Sequence, residues 1–279
     1  FDLYIANLNA TTKSSAGQLD ITVSESIRIK TLAFNQKMGS YLTKHTLAGK
    51  YTLQYSPAKK ELGFDSIPIS ISNQPFRFSG LFSFGAVQKF SLRTVTNNIT
   101  VDFAKSLLTK KTATGISLVN VSKPLNADAT LDGSLMGGEP LIVAHWSTEK
   151  NSITTPLLNL ENCSFSGLYT NEVVKGGPRN DSNSKVEVYH FQGDWQGLTM
   201  TSQKMIINNL TIPTLEADLH SRFPLSRLNE ILQTEALSLT AGSGKREFDY
   251  NWPLAKLTPQ NASLNGRPPT ANATIHTRP

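Results

Sequence analysis

The chain has 279 residues, with 27 Lys and Arg against 21 Asp and Glu, a net charge of +6, and only 17% charged and 38% hydrophobic residues. A charge-poor chain whose polar content is mostly Ser, Thr and Asn argues against a coiled coil, a disordered charged tail and a helical enzyme of ordinary composition, and favours strands and turns. A single cysteine, Cys163, excludes an internal disulfide framework and a cysteine-based zinc site.

In chain order the dominant pattern is strict alternation, the signature of strands with one dry and one wet face. The first residues, Phe1-Asp-Leu-Tyr-Ile5, already read as a strand. With no initiator Met and no signal peptide, we read the chain as an excised piece of a longer protein. Leu19, Ile21, Val23, Ile27 and Ile29 share one face, opposite Asp20, Thr22, Ser24, Arg28 and Lys30. Tyr51, Leu53 and Tyr55 repeat the pattern, followed by Ile67, Ile69 and Ile71, then Phe76 and Phe78, then Phe82 and Phe84, then Phe90 and Leu92. A first helix is expected near 102–110, with Asp102 as N-cap and Phe103, Leu107 and Leu108 on one face. Ala127, Ala129, Leu131 and Leu135 resume the strands, then Val186 and Val188, then Leu215, Ala217 and Leu219. A second helix is expected near 224–233, opened by Pro224 and striped by Leu225, Leu228, Ile231 and Leu232. Phe248, Tyr250 and Trp252 close the series.

Phe78-Ser-Gly-Leu-Phe-Ser83 and Phe165-Ser-Gly-Leu-Tyr-Thr170 nearly match, and each precedes strands, a short helix and a Ser-Leu strand at Leu118 or Leu239. This predicts two related β-rich units, residues 1–150 and 151–279, in one continuous sheet. The second has an additional turn-rich segment spanning Gly177–Ser184.

The motifs carry no catalytic signal. There is no nucleophile elbow, phosphate-binding loop or dinucleotide fingerprint, and no histidine pair has the spacing of a helical metal site. Asp181 and Asn183 are calcium-ligand residue types, but the EF-hand pattern around them is missing, and an Asx-rich hairpin loop is the simpler account. We therefore expect no enzyme, no cofactor and no metal. The basic residues are dispersed, with the densest pairs at Lys59-Lys60, Lys110-Lys111 and Lys245-Arg246, so we expect no nucleic-acid partner. A modest attraction to anionic lipid surfaces fits the same charge. The numerous Asn-x-Ser/Thr sequons, among them Asn98, Asn162 and Asn209, follow mainly from the composition. No run of about 18 apolar residues exists.

The apolar faces leave two architectures open. In one, two sheets pack face to face as a filled sandwich. In the other, one long, curved antiparallel sheet forms a groove or half-barrel whose concave side is lined by Phe76, Phe78, Phe82, Phe84, Leu131 and Val188, and acyl chains would suit that surface. A glycan-binding or adhesion module on a cell-surface sandwich is the competing function, with Trp146, Trp195 or Trp252 as an aromatic platform.

Several strings carry a resemblance. Asn162-Cys-Ser-Phe-Ser-Gly-Leu-Tyr-Thr-Asn-Glu172, the Gly-Pro-Arg-Asn-Asp-Ser-Asn-Ser184 loop, His190-Phe-Gln-Gly-Asp-Trp195 and Ala217-Asp-Leu-His-Ser-Arg-Phe-Pro-Leu225, with Leu47-Ala-Gly-Lys-Tyr-Thr-Leu-Gln-Tyr55 in the first half, resemble the AsmA-like family in its Bacteroidetes form. The resemblance implies a curved β-groove similar to bridge-like lipid transporters. It further implies a periplasmic location, an N-terminal inner-membrane anchor helix absent from this piece, phospholipid as cargo, and a role in phospholipid transport or outer-membrane assembly. The family supplies no catalytic residues to carry over.

Overall fold

The structure is a computed structural model that describes residues 2–15, 17–31, 42–108, 119–155, 159–224, 226 and 243–253. Its strands are β1 (Asp2–Ser15), β2 (Gln18–Thr31), β3 (His45–Ser56), β4 (Glu61–Ile71), β5 (Gln74–Ser83), β6 (Lys89–Ile99), β7 (Asn120–Val121), β8 (Leu125–Ser134), β9 (Leu141–Thr154), β10 (Asn159–Thr170), β11 (Lys185–Trp195), β12 (Leu198–Asn208), β13 (Thr214–Pro224) and β14 (Ser243–Pro253). A short helix, α1 (Val101–Ser106), separates β6 from β7, and a 3-10 turn covers Asp181–Asn183. Thirteen strands hydrogen-bond in one open sheet in the order β1-β2-β3-β4-β5-β6-β8-β9-β10-β11-β12-β13-β14, and β7 pairs with β9 off this path. The protein is mainly β, as its alternation predicts.

The first helix expectation needs correction. The first helix is shorter than 102–110, and its N-cap is Thr100, whose side chain accepts from the Phe103 N–H at 3.2 Å. Asp102 lies instead in the first turn, where it meets Lys105 at 3.3 Å. A hydroxyl placed three residues before a free N–H satisfies the helix start and leaves the carboxylate to complement the dipole. Pro224 is the last residue of β13, and the rest of the second expected helix, 224–233, apart from the turn residue Ser226, lies outside the described residues. Leu118 and Leu239 also lie outside them.

The chain divides into two compact units and passes from one to the other several times, including inside β9, between Trp146 and Ser147, and inside β10, between Tyr169 and Thr170. Unit 1 takes residues 1–117, 124–146 and 170–180; unit 2 takes 118–123, 147–169 and 181–279. In unit 1 the buried centre is Ile71, Phe76 and Ile99, with Phe103 and Leu107 from the α1 region packed on it. His45 ties this helix to β3: its Nε2 donates to the Ser106 carbonyl (3.1 Å), its Nδ1 meets Ser72 Oγ (3.0 Å), and its ring stands edge-on to Phe103. A carbonyl can only accept, so the Nε2 role is settled by its partner.

In unit 2 the buried centre is Ile153, Cys163 and Phe191, with Phe165, Val188, Met200 and Met205 around it. Burial, aided by Asp194, pushes the Cys163 thiol up to about 11. Asn151 is fully buried and fully bonded. Its Oδ1 accepts from the N–H groups of Lys123 and Ser152 (both 2.8 Å) and from Ser122 Oγ (3.1 Å). Its Nδ2 donates to Lys123 O and Thr148 Oγ1. This one side chain fixes the segment around β7 to β9.

Several strands carry non-glycine residues in the left-handed region: Ser66, Asn98, Lys150, Asn162 and His190. Ser66 and Asn98 coincide with register shifts between β4 and β5 and between β6 and β8, so each marks a bulge that kinks its strand. Polar side chains on neighbouring strands hold these sites. The Ser66 N–H donates to Ser79 Oγ (2.9 Å), and that hydroxyl donates to Asp65 (2.7 Å). The Lys150 N–H donates to Ser164 Oγ (3.0 Å), and Asn162 Nδ2 donates to Asp194 (2.9 Å).

Candidate apolar lipid-binding face

Directly opposite residues in an antiparallel pair share a face, so the registers of unit 1 define its apolar surface. One row runs Leu19–Tyr55–Leu62–Phe82–Phe90–Gly133 across six strands. The next row is Phe64–Gly80–Leu92–Leu131, and the one after it Ile67–Phe78–Thr94–Ala129. Glu25–Gly49–Ile69–Phe76 and Ile27–Leu47–Ile71 continue toward α1. Burial follows the rows. On β3, Leu47, Tyr51, Leu53 and Tyr55 are half-buried while Thr46, Ala48, Lys50, Thr52 and Gln54 are exposed. Across the rows Ile67, Ile71, Phe76 and Phe90 are buried, and the other members are half-buried.

The aromatic rings lie low on this face. Phe82 stacks between Phe64 (centroids 6.1 Å apart) and Phe90 (5.9 Å). A Cβ on Gly80 would come within 2.8 Å of the Phe64 ring, and one on Gly133 within 2.9 Å of the Phe90 ring. Each glycine therefore leaves the space into which a neighbouring ring folds down.

The six candidate positions are distributed unevenly. Phe76 and Phe78 are neighbours at 6.0 Å, but Phe76 is only 6% exposed, because Phe103 packs on it at 6.5 Å. Phe78, Phe82 and Leu131 are half-buried members of the rows. Phe84 lies past the end of β5, in the turn to β6, and is 44% exposed. Val188 belongs to unit 2, opposite Met205 and against the Cys163 cluster. Trp146 and Trp195 are half-buried, and the Trp252 side chain lies outside the described residues.

One residue of the face, Glu25, and one of the neighbouring loop, Arg179, escaped the sequence reading. Glu25 stands in phase with Val23 and Ile27, so its carboxylate falls on the apolar side, where Tyr51 donates a hydrogen bond to it. Burial first, then the Glu25 partner, raises the Tyr51 hydroxyl well above its ordinary value. A charged residue at an apolar phase position was the available signal. In the turn-rich segment, Arg179 binds Glu172 (3.3 Å) and donates to the carbonyls of Glu139 (3.2 Å) and Asp132 (3.5 Å). It thereby fastens that part of the loop to the β8–β9 turn.

Among the described residues, no three His, Cys, Asp or Glu side chains converge as metal ligands, and no helix is long and apolar enough to cross a membrane. Comparison with protein-family models, curated proteins and solved structures finds no match.

Proposed function

We propose that this chain is a non-enzymatic periplasmic module of an AsmA-like protein, whose apolar sheet face holds lipid acyl chains during phospholipid transport or outer-membrane assembly. In this reading the sheet is curved around its apolar side, and the two β-rich units are related copies, with Phe78–Ser83 on β5 and Phe165–Thr170 on β10 in equivalent places. The observation that carries the proposal is the set of apolar rows crossing unit 1, most of whose members are half-buried while Ile67, Ile71, Phe76 and Phe90 are buried, with α1, among the described residues, packed at their Phe76 end. A flat strip of Phe, Leu and Ile suits a methylene chain, which offers area without hydrogen bonds.

The test is lipid extraction or native mass spectrometry after mild purification, on the parent chain and on Phe82→Asp. Copurified lipid that Phe82→Asp abolishes, in a protein that still folds, is the expected result. In a filled core the same change would bury an unpaired charge and cost several kcal/mol of stability. Loss of the fold in Phe82→Asp, or an absence of lipid from the parent chain, overturns the proposal.

A further inference from the structure

In unit 1, the turns β3–β4, β5–β6 and β8–β9 and the loop following β10 are linked by hydrogen bonds into one rim. The Phe84 N–H donates to Lys60 O (2.8 Å), and the Leu135 N–H donates to Gln88 O (3.1 Å). Asn171 exchanges bonds with Ile142 and donates to Pro140 O (2.9 Å), and Arg179 reaches the Glu139 carbonyl.

This rim concentrates solvent-facing apolar side chains. Phe84, Val87, Leu135, Met136, Val173 and Val174 are all exposed, with Val87 at 70%, Met136 at 77% and Val174 at 66%. The charges beside them are sorted by sign. Lys59, Lys60, Lys89 and Lys175 stand exposed, while Glu61, Glu139 and Glu172 are half-buried. Glu61 accepts from Ser83 Oγ, and Glu172 is held by Arg179 and by the Gly176 N–H. The surface offered outward is therefore apolar at its tips and cationic between them.

We propose that this rim docks on a bilayer surface containing anionic phospholipid, with the Val, Met and Phe tips entering the headgroup–acyl boundary and the lysines meeting phosphates. Amphipathic, lysine-rich surfaces bind interfaces in this way. Protein–protein interfaces are instead depleted in lysine, which argues against a macromolecular partner. The inference stands independently of acyl-chain binding on the sheet face, because it uses none of the apolar rows.

The experiment is co-sedimentation of the chain with vesicles of phosphatidylcholine alone and of phosphatidylcholine mixed with phosphatidylglycerol. Binding to the mixed vesicles, weakened by salt, is expected. Val87→Asp and Met136→Asp should each lower partitioning about tenfold or more, and Lys59→Glu about fivefold. The substituted side chains are exposed, so circular dichroism should be unchanged. Ile212→Asp, at a 64% exposed turn position of unit 2, is the control that should bind normally. Phe82→Asp should lose copurified lipid while keeping vesicle binding, and Met136→Asp should do the reverse, which separates the two proposals. Absence of vesicle binding, an equal loss in Ile212→Asp, or a lipid-independent dimer that Met136→Asp disperses would each overturn the inference.

Discussion

Thr94 lies between Phe78 and Ala129 in the apolar rows, and its buried hydroxyl has no hydrogen-bond partner among the described residues. An unpaired buried hydroxyl costs free energy that an isosteric methyl does not. Thr94→Val should therefore raise stability by about 1 kcal/mol, read as a higher midpoint in denaturant titration; a lower midpoint would show that the hydroxyl is satisfied. Glu187 is the opposite case. Its burial favours the neutral form, but Lys204 (2.6 Å), Tyr189 (2.7 Å) and Lys185 (3.1 Å) outweigh that and hold its pKa at about 2. The folded value lies below the unfolded one, so the carboxylate's contribution is complete above about pH 4.5 and is lost as pH falls toward about 2. That contribution is about 3 kcal/mol. Acid unfolding of the parent chain should steepen across this window, and Glu187→Gln should flatten it; superimposable acid curves would refute the assignment. Single residues were also where the sequence was hardest to read. Asn98, Asn162 and Asn209, whose sequons looked merely compositional, are at positive φ, as is Asn73; short amide side chains are tolerated there better than most. A positive φ has no periodicity, so alternation does not report it.

At the level of elements, β1 is the exposed edge. Among the described residues it pairs only with β2, all fourteen of its residues are exposed, and Leu3, Ile5 and Leu8 fall on the apolar side. By contrast β5 pairs with β4 and β6 along most of its length. Hydrogen exchange should find the outward-facing amides of β1 on the order of a hundredfold faster than those of β5; comparable protection would indicate that β1 has a partner. Strand existence was legible because a half-buried strand imposes a period of two over many residues. Helix ends were less so. Thr100 and Asp102 are both good caps, and only the direction of the Phe103 N–H distinguishes them. Pro224 is acceptable both in a first helical turn and at the end of a strand.

At the scale of the whole molecule, the alternation identifies the all-β class, and the strand order confirms one sheet. Alternation could not choose between a filled sandwich and a single layer, because both bury the same side of each strand. That choice depends on what lies over the face, which is information about neighbours rather than periods. The candidate site was legible in the same measure. The phases of Phe78, Phe82 and Leu131 placed them in the rows, whereas Phe76 became core under a helix and Phe84 fell beyond its strand. The changes of unit within β9 and β10 had no compositional mark, since both strands run through them without a break in strand structure.

The strand order has a consequence for how the molecule is made. Each long strand pairs with the long strand immediately before and after it in the chain. A ribosome releasing this chain therefore presents every new strand to the one most recently laid down, and none has to wait for a distant partner. Partners stay local in sequence, the longest connections between paired strands being residues 100–124 and 225–242, which favours rapid pairing despite the size of the sheet. The same nearest-neighbour rule means that a hairpin could be added or removed by recombination with only its two flanking seams to be rejoined, so the length of such a sheet is a quantity that evolution can adjust two strands at a time.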